Sequence, residues 1–352
     1  MDTKIINLQL LDQSEVDTAY AEAAGIIREG GLVAFPTETV YGLGANALDE
    51  QAAAKIYAAK GRPSDNPLIA HISREQQLEE IAAYIPETAR ILMKHYWPGP
   101  LTMIFRKKDI VPRGTTGGLD TVAVRMPDHP VARRLIDAAG VPIAAPSANL
   151  SGRPSPTTAE RTAEDMEGKI EMILDGGPCR IGIESTIVDM TEDIPVILRP
   201  GFITYEMLRE LLGEVRKDRA LDAKEWRYFR PKAPGQKYRH YAPKAPMTLV
   251  EGGIEAVTAK ICDLTDASIR EGKKVGVICT DETEACYHQG IVKSMGSRVR
   301  LESVAHNLYE ILREFDETGV EVIYSEAFPS DELGFAVMNR LVKAAGHKEI
   351  QV

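Results

Sequence analysis

The chain has 352 residues, 44% of them apolar and 27% charged, with a formal charge of −10: the composition of a soluble globular protein of roughly two domains. The acidic balance argues against a chain whose main partner is nucleic acid, because that affinity rests on neutralising phosphates. No apolar run approaches the ~18 residues of a membrane span, and the opening MDTKIINLQLLDQSEVD is too acidic and too broken for a signal peptide.

In chain order, Ser14 with Asp17 forms an expected capping box. Val16, Tyr20, Ala23, Ala24 and Ile27 then recur at helical spacing until Gly30-Gly31 stops the helix. LVAF (32–35) reads as a strand, QAAAKIYAAK (51–60) as a helix and LIAHI (68–72) as a strand, with two helices between Arg74 and Trp97. LTMIF (101–105), TVAVRM (121–126) and PIAAP (142–146) read as buried strands, with a helix over 129–139. IEMILD (170–175), STIVDM (185–190) and PVILR (195–199) continue the series. Several strands follow one another without a helix between them, so a purely parallel, doubly wound sheet is not expected. After a basic, proline-rich stretch the rhythm changes. MTLVEG (247–252), KVGVICT (274–280), RVRLES (298–303) and VEVIYSE (320–326) alternate with helices, as in a small parallel sheet. The predicted organisation is an α/β domain over 1–215, a connector over 216–246 and a smaller α/β domain over 247–352. The four cysteines have no CxxC spacing and no matching His pattern, so they read as reduced and mostly structural, as in a cytosol.

Three polar loops directly follow strands, where open α/β sheets place ligands. In FPTETVYGLGANA (35–47), Gly42-Leu-Gly44-Ala-Asn-Ala47 matches G-x-G-x-x-A, with Asp65 about 20 residues on. PTETVY separates the glycines from the strand, so the stretch reads as a small-residue turn, with Thr37, Glu38, Thr39 and Tyr41 at a pocket mouth. In KGRPSDNPLIAHI (60–72), Lys60, Arg62, Ser64 and Asn66 are either a basic helix end or the components of a phosphate site. APSANLSGRPSPT (145–157) offers Ser147, Asn149, Ser151, Arg153, Ser155 and Thr157, as either a polar turn or donors for a ligand. No G-x-x-x-x-G-K-[ST], H-E-x-x-H or G-x-S-x-G occurs. An enzyme built on these loops would work by electrostatic stabilisation of phosphates rather than through a covalent nucleophile.

Taken together, PTETVYGLGANA, KGRPSDNPL, WPGPLT, VAVRMPDHP, PSANLSGRPSPT, ESTIVD and LRPG stand in an order that resembles the two-domain, YrdC-type family of L-threonylcarbamoyladenylate synthases. PGQKYRHYAP looks like that family's interdomain motif, with Gln236 where Met is expected. The resemblance implies a mixed, twisted YrdC-like sheet followed by a Rossmann-like domain. It implies synthesis of L-threonylcarbamoyl-AMP and pyrophosphate from L-threonine, bicarbonate and ATP, with Mg2+ held mainly by the ATP phosphates. The product would pass in the cytoplasm to tRNA threonylcarbamoyl transferase proteins, with direct tRNA binding weak or absent and no membrane partner. Residue by residue, it implies Lys60, Arg62 and Ser64 at ATP, the first two catalytic, with Thr121, Ser147, Asn149, Ser155, Arg199, Tyr238, Arg239, His240 and Tyr241. It implies Thr37, Tyr41, His71, Arg125, Ala145 and Ser185 at threonine. Arg125 is the natural partner of the threonine carboxylate, since a guanidinium grips a carboxylate bidentately.

The basic stretch RYFRPKAPGQKYRHYAPKA (227–245) holds six Lys or Arg and no Asp or Glu. It is expected to fold back over bound nucleotide, or else to be a solvated linker. Two other readings compete with the synthase: an RNA-binding module without catalysis, and a second domain that only holds partners.

Overall fold

The computed structural model describes residues 1–221, 233 and 241–352. They form two compact units. The first runs from Met1 to Ser151, from Ser155 to Arg180, and from Glu184 into the connector. The second takes Gly152–Pro154, Ile181–Ile183 and the chain after the connector.

In chain order the first unit is β1 (Lys4–Asn7), α1 (Gln13–Arg28), β2 (Val33–Phe35), β3 (Gly42–Asn46), α2 (Glu50–Lys60), β4 (Ile69–His71), α3 (Glu75–Ile81) and α4 (Glu87–Tyr96). Then follow β5 (Leu101–Arg106), α5 (Arg113–Thr116), β6 (Thr121–Arg125), α6 (Pro130–Ala139), β7 (Ile143–Ala144), α7 (Ala159–Met166) and β8 (Met172–Asp175). β9 (Thr186–Asp189), β10 (Val196–Arg199), α8 (Tyr205–Leu212) and β11 (Arg216–Lys217) complete it. The strands join in one sheet of order β1-β8-β2-β3-β7-β4-β6-β5-β9-β10-β11. Its ladders mix directions: β4 and β6 are parallel, whereas β7 on one side and β5 on the other run against them.

Strand alternation sorts the core into layers. Val33 and Phe35 pack with Tyr20, Ile27, Leu135 and Ile136 of α1 and α6, while Ala34 joins a separate, larger cluster with Ile56 of α2. A third cluster gathers Ile69, Ile104, Ala123, Ile187 and Leu198 with Ala233 of the connector, which is fully buried.

Two local features differ from the sequence pattern. The capping box of α1 is Asp12 with Glu15, not Ser14 with Asp17: Asp12 Oδ1 accepts from Glu15 N–H, and Glu15 Oε2 accepts from Asp12 N–H. Gly42–Asn46 is a buried strand rather than a turn. A Cβ on Gly44 would stand 2.7 Å from the Phe35 ring and 2.9 Å from the Ile143 side chain, so close sheet packing explains the glycine.

The second unit runs β12 (Met247–Glu251), α9 (Ile254–Arg270), β13 (Val275–Cys279), β14 (Ile291–Ser294), α10 (Leu301–Thr318), β15 (Val322–Glu326), α11 (Glu332–Ala344) and β16 (Glu349–Gln351). Its sheet has the order β14-β13-β15-β12-β16, and each ladder in it is parallel. The strand expected over 298–303 is not one. Val304, Leu308, Leu312 and Phe315 are buried at helical spacing, so α10 claims the segment and Ile291–Ser294 supplies the strand. All four cysteines are free thiols; Cys179 and Cys279 are buried, Cys262 is half-buried and Cys286 exposed. Among the described residues no helix is long and apolar enough to cross a membrane.

Candidate active site

The register of three neighbouring strands builds the polar end of the site. His71 of β4 and Thr102 of β5 both pair with Arg125 of β6, so the three lie side by side on one face. The loop after β2 brings Thr37, Glu38 and Thr39 to the same place. Arg125 Nη1 donates to Thr39 Oγ1 (2.9 Å), which lies 2.8 Å from Thr37 Oγ1, which in turn donates to Val40 O (2.7 Å). Arg125 Nε donates to Gly99 O (3.3 Å), and Nη2 stands 2.7 Å from Glu38 Oε1. Thr37, Glu38, Thr39 and Tyr41, which the sequence placed at a pocket mouth, are all 2% exposed or less, and Arg125 is 4% exposed. A buried ion pair persists only where its geometry offsets desolvation.

The imidazole beside this pair is neutral. Burial, then the Arg125 cation, pushes His71 down from 6.5 to about 3. Its Nδ1–H donates to Ile69 O at 3.1 Å. Burial likewise lowers His129 at the start of α6. Ser185 Oγ lies 2.7 Å from Thr102 Oγ1 and accepts from Arg199 Nη2 (3.1 Å), while Arg199 Nε donates to Ser185 O (3.0 Å). Arg199 and Ser185 are therefore joined to the Thr102–Arg125 strand pair. Ala145 is 4% exposed and donates its N–H to Ile69 O (2.9 Å). Tyr41 belongs to the core: its hydroxyl donates to Gly177 O (2.8 Å), and burial raises its pKa.

The second group of predicted residues is knitted by Lys60. This last residue of α2 is 2% exposed. Its ammonium donates to Ser147 O (2.5 Å) and Asn149 O, and reaches Asn149 Oδ1 at 3.5 Å. One buried cation thus fastens the 145–157 loop to α2, and Ser151 N–H donates back to Lys60 O (2.8 Å). Ser147 Oγ donates to Asn149 Oδ1 (2.5 Å), and Ser155 Oγ to Glu184 Oε1 (2.6 Å). Arg62 is half-buried and donates to Asn66 O (3.3 Å) and Pro67 O (3.1 Å) of its own loop, whereas Ser64 is exposed. Thr121 and Arg125 sit at opposite ends of β6 on the same face, with Ala123 of the apolar cluster between them. At about 3.3 Å per residue they stand about 13 Å apart, the scale of an extended two-part substrate.

Thr102 and Glu184 have no role in the sequence pattern alone, although each stands in a motif quoted above, WPGPLT or ESTIVD, and that pattern places Thr39 only at a pocket mouth. Tyr238, Arg239 and His240 lie outside the described residues. Tyr241 is 5% exposed and packs against the Tyr309 ring at 5.1 Å within the second unit. Among the described residues, no group of three or more His, Cys, Asp or Glu is gathered to hold a metal ion.

Two family models match the chain. One, for Sua5, YciO and YrdC and described as telomere recombination, covers residues 25–201. The other, described as the C-terminal domain of threonylcarbamoyl-AMP synthase, covers residues 203–346. The chain is 54% identical over 330 residues to the threonylcarbamoyl-AMP synthase of Pyrococcus abyssi, with 94% of this chain and 95% of that protein covered. It is 50% identical over 354 residues to the threonylcarbamoyl-AMP synthase of Bacillus subtilis, with 100% of both covered. The crystal structure of P. abyssi Sua5 complexed with L-threonine is similar, with a TM-score of 0.93 and 52% identity, covering 99% of this chain and 100% of that one.

Proposed function

The chain belongs to the Sua5–YciO–YrdC family, and from that premise we propose that it joins L-threonine, bicarbonate and ATP into L-threonylcarbamoyl-AMP and pyrophosphate. The observation that carries this reading is the match to a threonylcarbamoyl-AMP synthase over 100% of both chains, at 50% identity. The site supports it. Arg125 is a buried guanidinium with N–H groups to spare, suited to the threonine carboxylate. The amine condenses with bicarbonate, with loss of water, to give a carbamate. The carbamate oxygen then attacks the α-phosphorus of ATP, and the bond to the bridging oxygen breaks as pyrophosphate leaves. The enzyme is thus a nucleotidyltransferase. Two anions must meet, so fixed positive charge and positioning carry the acceleration. Arg62 is the cation we assign to the phosphates. Lys60 holds the Ser147–Asn149 loop in place and adds its charge beneath it. Magnesium enters as the ion that ATP carries. The product supplies the proteins that build threonylcarbamoyladenosine in tRNA, in the cytoplasm.

The test is pyrophosphate release by the purified full chain. We expect release from ATP only when L-threonine and bicarbonate are both present, with a product of the mass of threonylcarbamoyl-AMP. Release that is indifferent to threonine would overturn the reading.

A further inference from the structure

Glu38 is the buried group in this cluster that the reaction above leaves without a task. Its side chain is 2% exposed, and neither Oε1 nor Oε2 accepts a hydrogen bond. Arg125 Nη2, 2.7 Å from Oε1, also lacks a hydrogen bond, so the contact is a charge pair without hydrogen-bond alignment. A carboxylate has about four acceptor positions. Leaving them empty in the interior costs about 1–3 kcal/mol per group. The neighbours do not relieve it: Thr39 Oγ1 serves Arg125 and Thr37, and His71 and His129 are both held below the ordinary imidazole range by burial. Arg125 mirrors this state. It has five N–H groups, of which Nε–H goes to Gly99 O and one of Nη1 to Thr39 Oγ1. A carboxylate with unused acceptors therefore lies beside a guanidinium with unused donors.

That juxtaposition has the charge pattern of a zwitterion turned inside out. In an α-amino acid the nitrogen and the carboxyl carbon are both bonded to one Cα, at about 1.5 Å each. The ligand's two charges are therefore forced to lie as close together as Glu38 and Arg125 are. We propose that Glu38 is the acceptor for the α-ammonium of the amino-acid substrate, acting as one half of a zwitterion clamp whose other half is Arg125. The assignment rests on the synthase reading and deepens it. It makes the site selective for α-amino acids over molecules that carry the carboxylate alone, because only an ammonium donates into the empty Glu38 positions. An uncharged hydroxyl there would leave a buried carboxylate poorly paired.

The experiment is calorimetric titration of the full chain with L-threonine and with 2,3-dihydroxybutanoate, in which a hydroxyl replaces the ammonium. The parent is expected to prefer threonine by at least tenfold. Glu38→Gln keeps the shape and removes the charge, and it should lose at least tenfold in threonine affinity while binding the hydroxy acid as well as before or better. A variant weakened only by a structural fault would lose both ligands together, and that result would overturn the proposal. If Glu38→Gln does not melt cooperatively, Glu38→Asp takes its place. It keeps the charge one methylene further back, and unchanged threonine affinity there would equally overturn the clamp. The two readings fail separately. A parent that binds no threonine and releases no pyrophosphate removes the synthase reading, whereas an active parent whose Glu38→Gln variant keeps the full preference removes only the clamp.

Discussion

Each unit of the molecule buries a glutamate beside an arginine, and the two pairs are built differently. Glu326, at the end of β15, is 0% exposed and its oxygens are fully used. Oε1 accepts from Thr283 Oγ1 (2.5 Å) and Tyr287 OH (2.7 Å), and Oε2 from Arg298 Nη2 (2.6 Å) and Thr280 Oγ1 (3.4 Å). Glu38 is as deeply buried and accepts none. A saturated polar network fixes a structure, whereas an unsaturated one costs stability unless something arrives to complete it. The difference between the pairs separates a carboxylate kept for architecture from one kept for a ligand.

The largest effect should come from breaking the saturated pair. Glu326→Ala leaves Arg298 and three hydroxyls facing an empty space, and should cost about 3–5 kcal/mol in the urea unfolding of the chain. The sharper form replaces both partners. Replacing a buried ion pair with apolar groups is often neutral or stabilising. Glu38→Leu/Arg125→Met, which forfeits only the bonds to Thr39 and Gly99, should therefore stay within about 2 kcal/mol of the parent while binding no threonine. Glu326→Leu/Arg298→Met still strands Thr283 and Tyr287, and should be the less stable double variant by at least about 2 kcal/mol. Equal midpoints for the two would collapse the distinction.

The sequence made one side of this contrast visible and hid the other. Arg125 stands out because VAVRMPDHP places a cation at the end of an apolar strand, and Glu38 stands out as a charge within PTETVY. That they touch depends on β6 and the loop after β2 meeting across a sheet whose neighbours are far apart in the chain, and no local pattern encodes that pairing. The same limit explains Lys60. Its position at a helix end was legible, but its burial under the Ser147 and Asn149 carbonyls was not. Local patterns also mislead where two compete. Val299 and Leu301 fit a strand, yet the longer helical period running through Phe315 wins. Gly42–Asn46 shows the reverse failure, since Gly44, of a type disfavoured in strands, stands there because Phe35 and Ile143 leave no room for a Cβ.

The next effect tests the surroundings of the unsaturated pair through pH. His71 titrates at about 3 in the folded protein and at 6.5 when unfolded. Between those values the unfolded chain binds the extra proton, so stability is complete above 6.5 and is lost as pH falls toward 3. From pH 7.5 to pH 5 this one group should remove about 2 kcal/mol. His71→Gln should flatten that part of the stability–pH curve relative to the parent, whatever its cost at neutral pH. Parallel curves for the two proteins would mean that His71 is not the buried neutral imidazole beside Arg125.

The smallest effect returns to the saturated pair and asks whether saturation itself matters. Tyr287→Phe removes one of the two donors to Glu326 Oε1 and leaves Thr283 in place at 2.5 Å. The ring is 7% exposed and keeps its packing with Cys279 and Val277, so the loss should be that of one hydrogen bond to a charged group, about 1–2 kcal/mol. Burial and the Glu326 carboxylate raise the Tyr287 pKa, so the phenol keeps its proton across the working range and the loss should not vary between pH 6 and pH 9. Thermal melts of parent and variant at those two values read both quantities. A variant as stable as the parent would show that Glu326 tolerates an empty acceptor position without penalty. The empty positions on Glu38 would then carry no energetic demand for an ammonium, because a glutamate buried to the same depth would have been emptied in part at no cost.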